Sequence, residues 1–117
     1  MNISKILWRT VLLSTIGFTS AAQAKPDRIL GHYKSSGFTI DIEGGEYHGC
    51  DPKNRCVIIP RSKSTRQGKA RIWRNAGYLY RVTPIGDMLI NGHNTRILVR
   101  IINPQQKVIF SRIFRSQ

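Results

Sequence analysis

The reactive side chains of this 117-residue chain gather in one stretch, Glu46–Cys56, which holds both cysteines and a histidine two places before the first. Three chemistries are open to that set. A thiolate at Cys50 activated by the His48 imidazole would be a nucleophile. His48, Cys50 and Cys56, with His32 or His93 as a fourth ligand, would be a metal site. A disulfide between Cys50 and Cys56 would close a turn over Asp51-Pro52-Lys53-Asn54-Arg55, whose Asp-Pro start and Asn favour reversal of the chain. Cysteines opposite each other at the base of such a hairpin lie within the Cα separation that a disulfide accepts. Zinc knuckles space their cysteines more closely and usually in two pairs. C-x-x-C redox spacing is missing.

Strand patterns surround the stretch and must position it. Phe38-Thr39-Ile40-Asp41-Ile42-Glu43 alternates apolar and polar, which predicts a half-buried strand with Phe38, Ile40 and Ile42 on one face. Gly44-Gly45 ends it, and short strands at Glu46–Cys50 and Cys56-Val57-Ile58-Ile59 flank the cysteine turn. Residues 61–69 read as a mobile basic loop carrying Arg61, Lys63, Arg66 and Lys69. In "ARIWRNAGYLYRV", a three-residue Asn75-Ala76-Gly77 loop would set Arg74 opposite Tyr78, Ile72 opposite Tyr80 and Ala70 opposite Val82. Trp73 would then lie beside Leu79, and Arg71 beside Arg81. Two β-branched runs, Thr95–Ile102 and Lys107–Ser116, would join through Asn103-Pro104-Gln105-Gln106. Ile97, Val99 and Ile101 would share a core face with Val108, Phe110 and Phe114.

No stretch has helical periodicity, no internal repeat is evident, and turn signals recur every 8–12 residues or so. The expected fold is all-β, a small antiparallel sandwich or barrel of about six to eight short strands with one hairpin-tip disulfide.

His32, fifteen intervening residues and then His48-Gly49-Cys50 resemble the cell-wall L,D-transpeptidases, in which a histidine precedes Ser/Thr-His-Gly-Cys. The resemblance implies a cysteine-dependent cell-wall enzyme using His48 and Cys50. The chain departs from that pattern with Tyr47 for Ser/Thr and Asp51-Pro52 for the apolar residue and its polar follower. An aspartate beside the thiol raises its pKa and so opposes thiolate formation.

Lys5 and Arg9 precede an uncharged run from Thr10 to Ala24 that ends in Ala22-Gln23-Ala24, the pattern of a secretory signal peptide cleaved after Ala24. One small domain, residues 25–117, would remain, secreted or periplasmic, with no transmembrane segment. An oxidising compartment and an even cysteine count favour the disulfide over the thiol chemistries. The remaining chain carries about +11, very unevenly placed. Five of the six carboxylates fall before Lys53, whereas from Lys53 onward there are fourteen basic residues and only Asp87.

Such a field attracts anions. Arg71, Trp73, Arg74, Tyr78 and Arg81, with Arg96 and Arg100, alternate charge with aromatic area, as anion-binding faces do. The partner expected is an anionic polymer or glycan, a membrane surface or an acidic protein, with nucleic acid less favoured. No nucleotide fingerprint or paired-carboxylate site is present, so no cofactor or metal and no enzymatic activity is expected. A structural or assembly role in the envelope, through the amphipathic last hairpin, is the other alternative.

Overall fold

The computed structural model describes residues 28–86, 89–90 and 93–117, with backbone only at 89, 90, 93 and 94. The signal-peptide expectation for residues 1–24 lies outside them, as do Asp87 and the Asn91-Gly92 turn. The strands are β1 Gly31–Ser35, β2 Phe38–Glu43, β3 Glu46–Cys50, β4 Cys56–Ile59, β5 Ser64–Gln67, β6 Ala70–Asn75, β7 Tyr78–Pro84, β8 Leu89–Ile90, β9 His93–Asn94, β10 Arg96–Ile102 and β11 Val108–Ser116. Nine of them form one antiparallel sheet in the order β4-β3-β2-β1-β11-β10-β7-β6-β5, and β8 and β9 form a separate pair. The chain is therefore all-β, with more strands than the turn spacing implied.

Apart from the β8–β9 excursion, every neighbour in the sheet is a neighbour in sequence, except where β11 returns to β1. This is an up-and-down meander curled into a half-barrel, unclosed between β4 and β5. Pro60 and the single 3₁₀ turn Arg61–Lys63 carry the chain across that seam.

Residues 61–69 are therefore not the mobile loop the polar composition implied. Ser64–Gln67 is an edge strand, pairing Thr65 with Ile72 and Arg66 with Arg71. Its charged side chains are compatible with pairing because an edge strand faces solvent on one side, and charge there discourages further strand addition.

The β6–β7 turn corrects the expected register. Asn75 pairs with Tyr78, so the loop has only two residues, Ala76 and Gly77, both at positive φ. Two positive φ values define the I′ turn that matches strand twist, and Ala76 adopts one at a modest cost. Ser36-Gly37 and Gly44-Gly45 make the same turn. A one-residue shift turns every side chain over. Trp73 consequently faces Tyr80 rather than Leu79, and Arg71 lies opposite Val82 rather than Arg81.

The β10–β11 hairpin follows expectation for Ile97, Val99 and Ile101 with Phe110 and Phe114, but not for Val108. A bulge between Ile101 and Ile102 sets Ile102 opposite Val108 and Ile101 opposite Phe110. Val108 and Ile109 are left exposed.

The two wider loops have one construction. In Asp51–Arg55 the side-chain Oδ1 of Asp51 accepts from the amides of Lys53 and Arg55, both at 2.9 Å. The main chain closes through Asp51 N to Arg55 O and Asn54 N to Asp51 O. In Asn103–Lys107 the Asn103 Oδ1 accepts from Gln105 and Lys107, with Asn103 N to Lys107 O and Gln106 N to Asn103 O. Asn54 and Gln106 occupy the same left-handed position, at φ 63° and 68°. Each loop's proline abuts the glycine of an I′ turn, Pro52 against Gly37 and Pro104 against Gly77. The unit β1–β4 is thus repeated in plan by β6, β7, β10 and β11. The chain has an internal repeat of structure where residue identity shows none.

The core lies where the two units face each other. Tyr33, Ile40, Ile42, Tyr47 and Ile59 meet Trp73, Val82, Ile97, Val99 and Phe114, all buried. Trp73 is the clamp. Its indole Nε1 donates 2.8 Å to the carbonyl of Gly45, and its ring packs on Tyr47 at 5.4 Å. A buried indole holds its place only when its N–H is satisfied, and here the other unit supplies the acceptor.

Candidate functional site

The cysteine hairpin is closed. Cys50 and Cys56 are cross-strand partners, their Cα atoms 4.1 Å apart, and they form a disulfide. The donor atoms of His48, Cys50 and Cys56 lie within 4.8 Å of one another. With the two sulfurs bonded to each other, only the imidazole keeps a free ligand atom. Asp51 serves the loop rather than a thiol. Its Oδ2 also accepts 2.7 Å from Arg55 Nε, and the bonds from Arg55 and Lys53 hold its carboxyl below the usual aspartate range. His32, the other imidazole of the transpeptidase-like spacing, faces Asp41 instead. Its Nδ1 lies 2.6 Å from Asp41 Oδ1, which raises its pKa, with a smaller upward contribution from Glu43.

Strand register sorts the basic candidates onto opposite faces. Trp73 and Tyr78 fall on the core face with Tyr80 and Val82. Trp73 is fully buried, so the expected stacking platform is a core residue. Arg71 shares that face and donates from Nη1 to Ser64 Oγ at 2.8 Å. The one-residue register shift produces all three placements.

Arg74, Arg81, Arg96 and Arg100 stand together on the outer face. Arg81 lies directly opposite Arg100 across β7 and β10, and Arg96 directly opposite Arg115 across β10 and β11. Lys34 of β1 continues the second row, opposite Arg115. Arg115 joins the row through the β10–β11 hairpin, whereas Lys34 carried no signal of a site in the sequence and joins it only because β11 returns beside β1. The ion pairs at His32 and between Arg55 and Asp51 involve none of these side chains. None of these outer-face arginines has a carboxylate. The Arg81 Nε is buried without a hydrogen-bond partner. Leu98 and Ile113, paired between the two arginine rows, add aliphatic surface, with Ile113 49% exposed. Arg61, Lys63, Arg66 and Lys69 are exposed near the open seam, away from these rows.

A second feature had no signal in the sequence. At the end of the half-barrel that carries the two Asx-Pro loops, a cavity of about 280 Å³ opens between the units. Phe38, Ile40, Tyr47, Gly49 and Val57 line it from one side, and Tyr80, Ile101, Phe110 and Phe114 from the other. Cys50, Asp51, Arg55 and Cys56 complete its lining from the disulfide hairpin. Gly49 is required here, because a side chain at this position would collide with the Tyr47 hydroxyl lying over it. Burial pushes the Tyr47 phenol well above its ordinary pKa, with a smaller contribution from Tyr80, and raises Tyr80 as well. Both are neutral donors at physiological pH. Arg112, on the core face of β11, places its guanidinium 5.0 Å from the Phe38 ring centre and 5.8 Å from that of Phe110.

No helix among the described residues is long and apolar enough to cross a membrane. The chain matches no protein-family model, no curated protein and no solved structure.

Proposed function

We propose that this chain is an exported, non-enzymatic binding domain whose outer arginine face docks on an anionic partner of the cell envelope or its surroundings. The observation that carries this reading is the pair of directly opposed arginines, Arg81–Arg100 and Arg96–Arg115, without a carboxylate between them. Like charges across a sheet are destabilising. A surface that keeps them serves something other than stability, and an anion bound across both rows would relieve the repulsion. Leu98 and Ile113 between the rows match the boundary of an anionic lipid surface better than a hydrated glycan, because lipid offers both charge and apolar contact.

The disulfide argues against the transpeptidase-like alternative, since no free cysteine remains. The test is co-sedimentation of residues 25–117 with vesicles of neutral lipid alone and of neutral lipid with a third anionic lipid. Binding is expected only to the anionic vesicles, weakening as salt is raised. Arg81→Gln with Arg100→Gln should cut it roughly tenfold, as two surface cations contribute about 1 kcal/mol each at most. Equal binding to both vesicle types, or none at low salt, would end this reading.

A further inference from the structure

The cavity is on the face opposite the arginine rows, and we propose that it is a site for a small amphiphilic carboxylate, an alkanoate of about eight carbons. This inference is independent of the outer-face reading.

The lining sets the tail. Phe38, Val57, Ile101 and Phe110 leave an apolar volume of about 280 Å³. At about 30 Å³ for each water-sized group, that is room for about nine heavy atoms. It lies just below the usual range for ligand sites, so a fragment-sized ligand fits and a full lipid does not.

The polar groups set the head. Tyr47 is 2% exposed, lines the cavity, and its hydroxyl has no hydrogen-bond partner among the described residues. That hydroxyl is free to donate, and an acceptor oxygen on a ligand in the cavity would accept its hydrogen bond. The Tyr47 hydroxyl lies over Gly49, itself a lining residue next to Cys50. The charged residues of the lining, Asp51 and Arg55, are paired with each other, and Arg112, beside the cavity rather than in its lining, supplies the free charge. It faces the core side, over two of the lining rings, and has no carboxylate partner. A guanidinium held on aromatic faces and left without a counter-ion is a preformed place for a carboxylate. A neutral or cationic head would leave it unpaired.

Calorimetric titration of the full disulfide-bonded domain with hexanoate, octanoate, decanoate, octanol and octyltrimethylammonium tests the site. Affinity is expected to rise about fourfold for each methylene up to octanoate. It should flatten at decanoate, where the cavity is full. Octanol should bind at least fivefold more weakly than octanoate, and octyltrimethylammonium more weakly still. Arg112→Gln should bring octanoate to the level of octanol. Ile101→Trp should fill the cavity and abolish binding, with retained vesicle binding or native circular dichroism showing that the domain is folded. Val57→Phe fills the same space from the opposite wall if that variant does not fold. The proposal is overturned by any of three results: no octanoate binding at millimolar concentration, equal affinity for octanoate and octanol, or octanoate binding that survives a folded cavity-filling variant.

Discussion

The β1–β4 unit and the β6, β7, β10, β11 unit share turns, loops and a core contribution, yet their outer faces are built on opposite rules. In the first, His32, Asp41 and His48 lie abreast on three strands, with the His32 ring 2.6 Å from the Asp41 carboxylate and Glu43 nearby. In the second, arginine faces arginine. The shared parts are those whose geometry the backbone dictates, the I′ turns and the Asx-Pro loops. The divergent parts are solvent-facing, where substitution costs little and surface chemistry is free to vary. The units differ at the loop base as well. Cys50 and Cys56 flank the first loop, and Ile102 and Val108 occupy the matching places beside the second. There the neighbouring bulge, absent from the first loop, turns Ile109 outward and Phe110 and Arg112 toward the core.

The strongest way to break the pairing of the units is Trp73→Ala. The substitution removes a fully buried side chain and the indole bond to Gly45, and a cost of about 3–5 kcal/mol is expected in urea unfolding. Tyr78→Ala, half-buried beside the turn, should cost far less. Similar losses for both would mean that the units are not held through Trp73.

Next in size is the clasp. Cys50→Ser with Cys56→Ser should lower stability by about 2 kcal/mol, the chain-entropy value for so short a loop. Because Asp51 holds the loop through three hydrogen bonds of its own, the hairpin amides should stay protected from exchange. Loss of that protection would show that the two loops, only one of them clasped, do not hold themselves in the same way.

A smaller effect separates the two loop residues. Asn103→Ala strips an acceptor from two amides and should cost about 1 kcal/mol. Asp51→Asn should cost less at pH 7, because it keeps the two amide bonds that Asn103 makes and loses only the charged acceptor for Arg55 Nε. It should, however, change the acid limb. The lowered carboxyl pKa of Asp51 gives stability that is present above the ordinary aspartate value and is lost as pH falls through the folded one. Urea midpoints between pH 2 and 5 should therefore fall less steeply in Asp51→Asn than in the native domain.

The sequence made the all-β architecture, the β2, β3 and β4 strands and the disulfide legible, because alternation and an even cysteine count report local facts. It misplaced the β6–β7 register since Asn75-Ala76-Gly77 is compatible with a two- or a three-residue loop, and only the fit of Trp73 against Gly45 and Tyr47 distinguishes them. That one residue decided which aromatic and basic side chains share a face. Lys34 was invisible as a neighbour of Arg115 because their adjacency depends on the long-range β1–β11 pairing. The cavity was invisible for the same reason. Phe38 and Phe110 are far apart in sequence and meet only when the sheet curls, their ring centres 5.3 Å apart.

The smallest effect belongs to the outer face of the first unit, and it bears directly on the contrast between the units. The hydrogen bond to Asp41, then its charge, raises the His32 pKa above the ordinary imidazole value near 6.5. A raised folded-state value means that the protonated form is favoured by folding. The resulting stability is fully present below the unfolded value and is lost as pH rises through the folded one. Proton NMR should show His32 titrating at higher pH than a histidine in a disordered peptide, and Asp41→Asn should return it toward that value. The second face carries no imidazole–carboxylate pair and so has no such dependence to lose. The two outer faces should thus respond differently as pH rises through the His32 titration, the first losing its positive partner and becoming more acidic while the second does not change. A His32 titration unmoved by Asp41→Asn would show that this cross-strand pair is not what sets the first face apart.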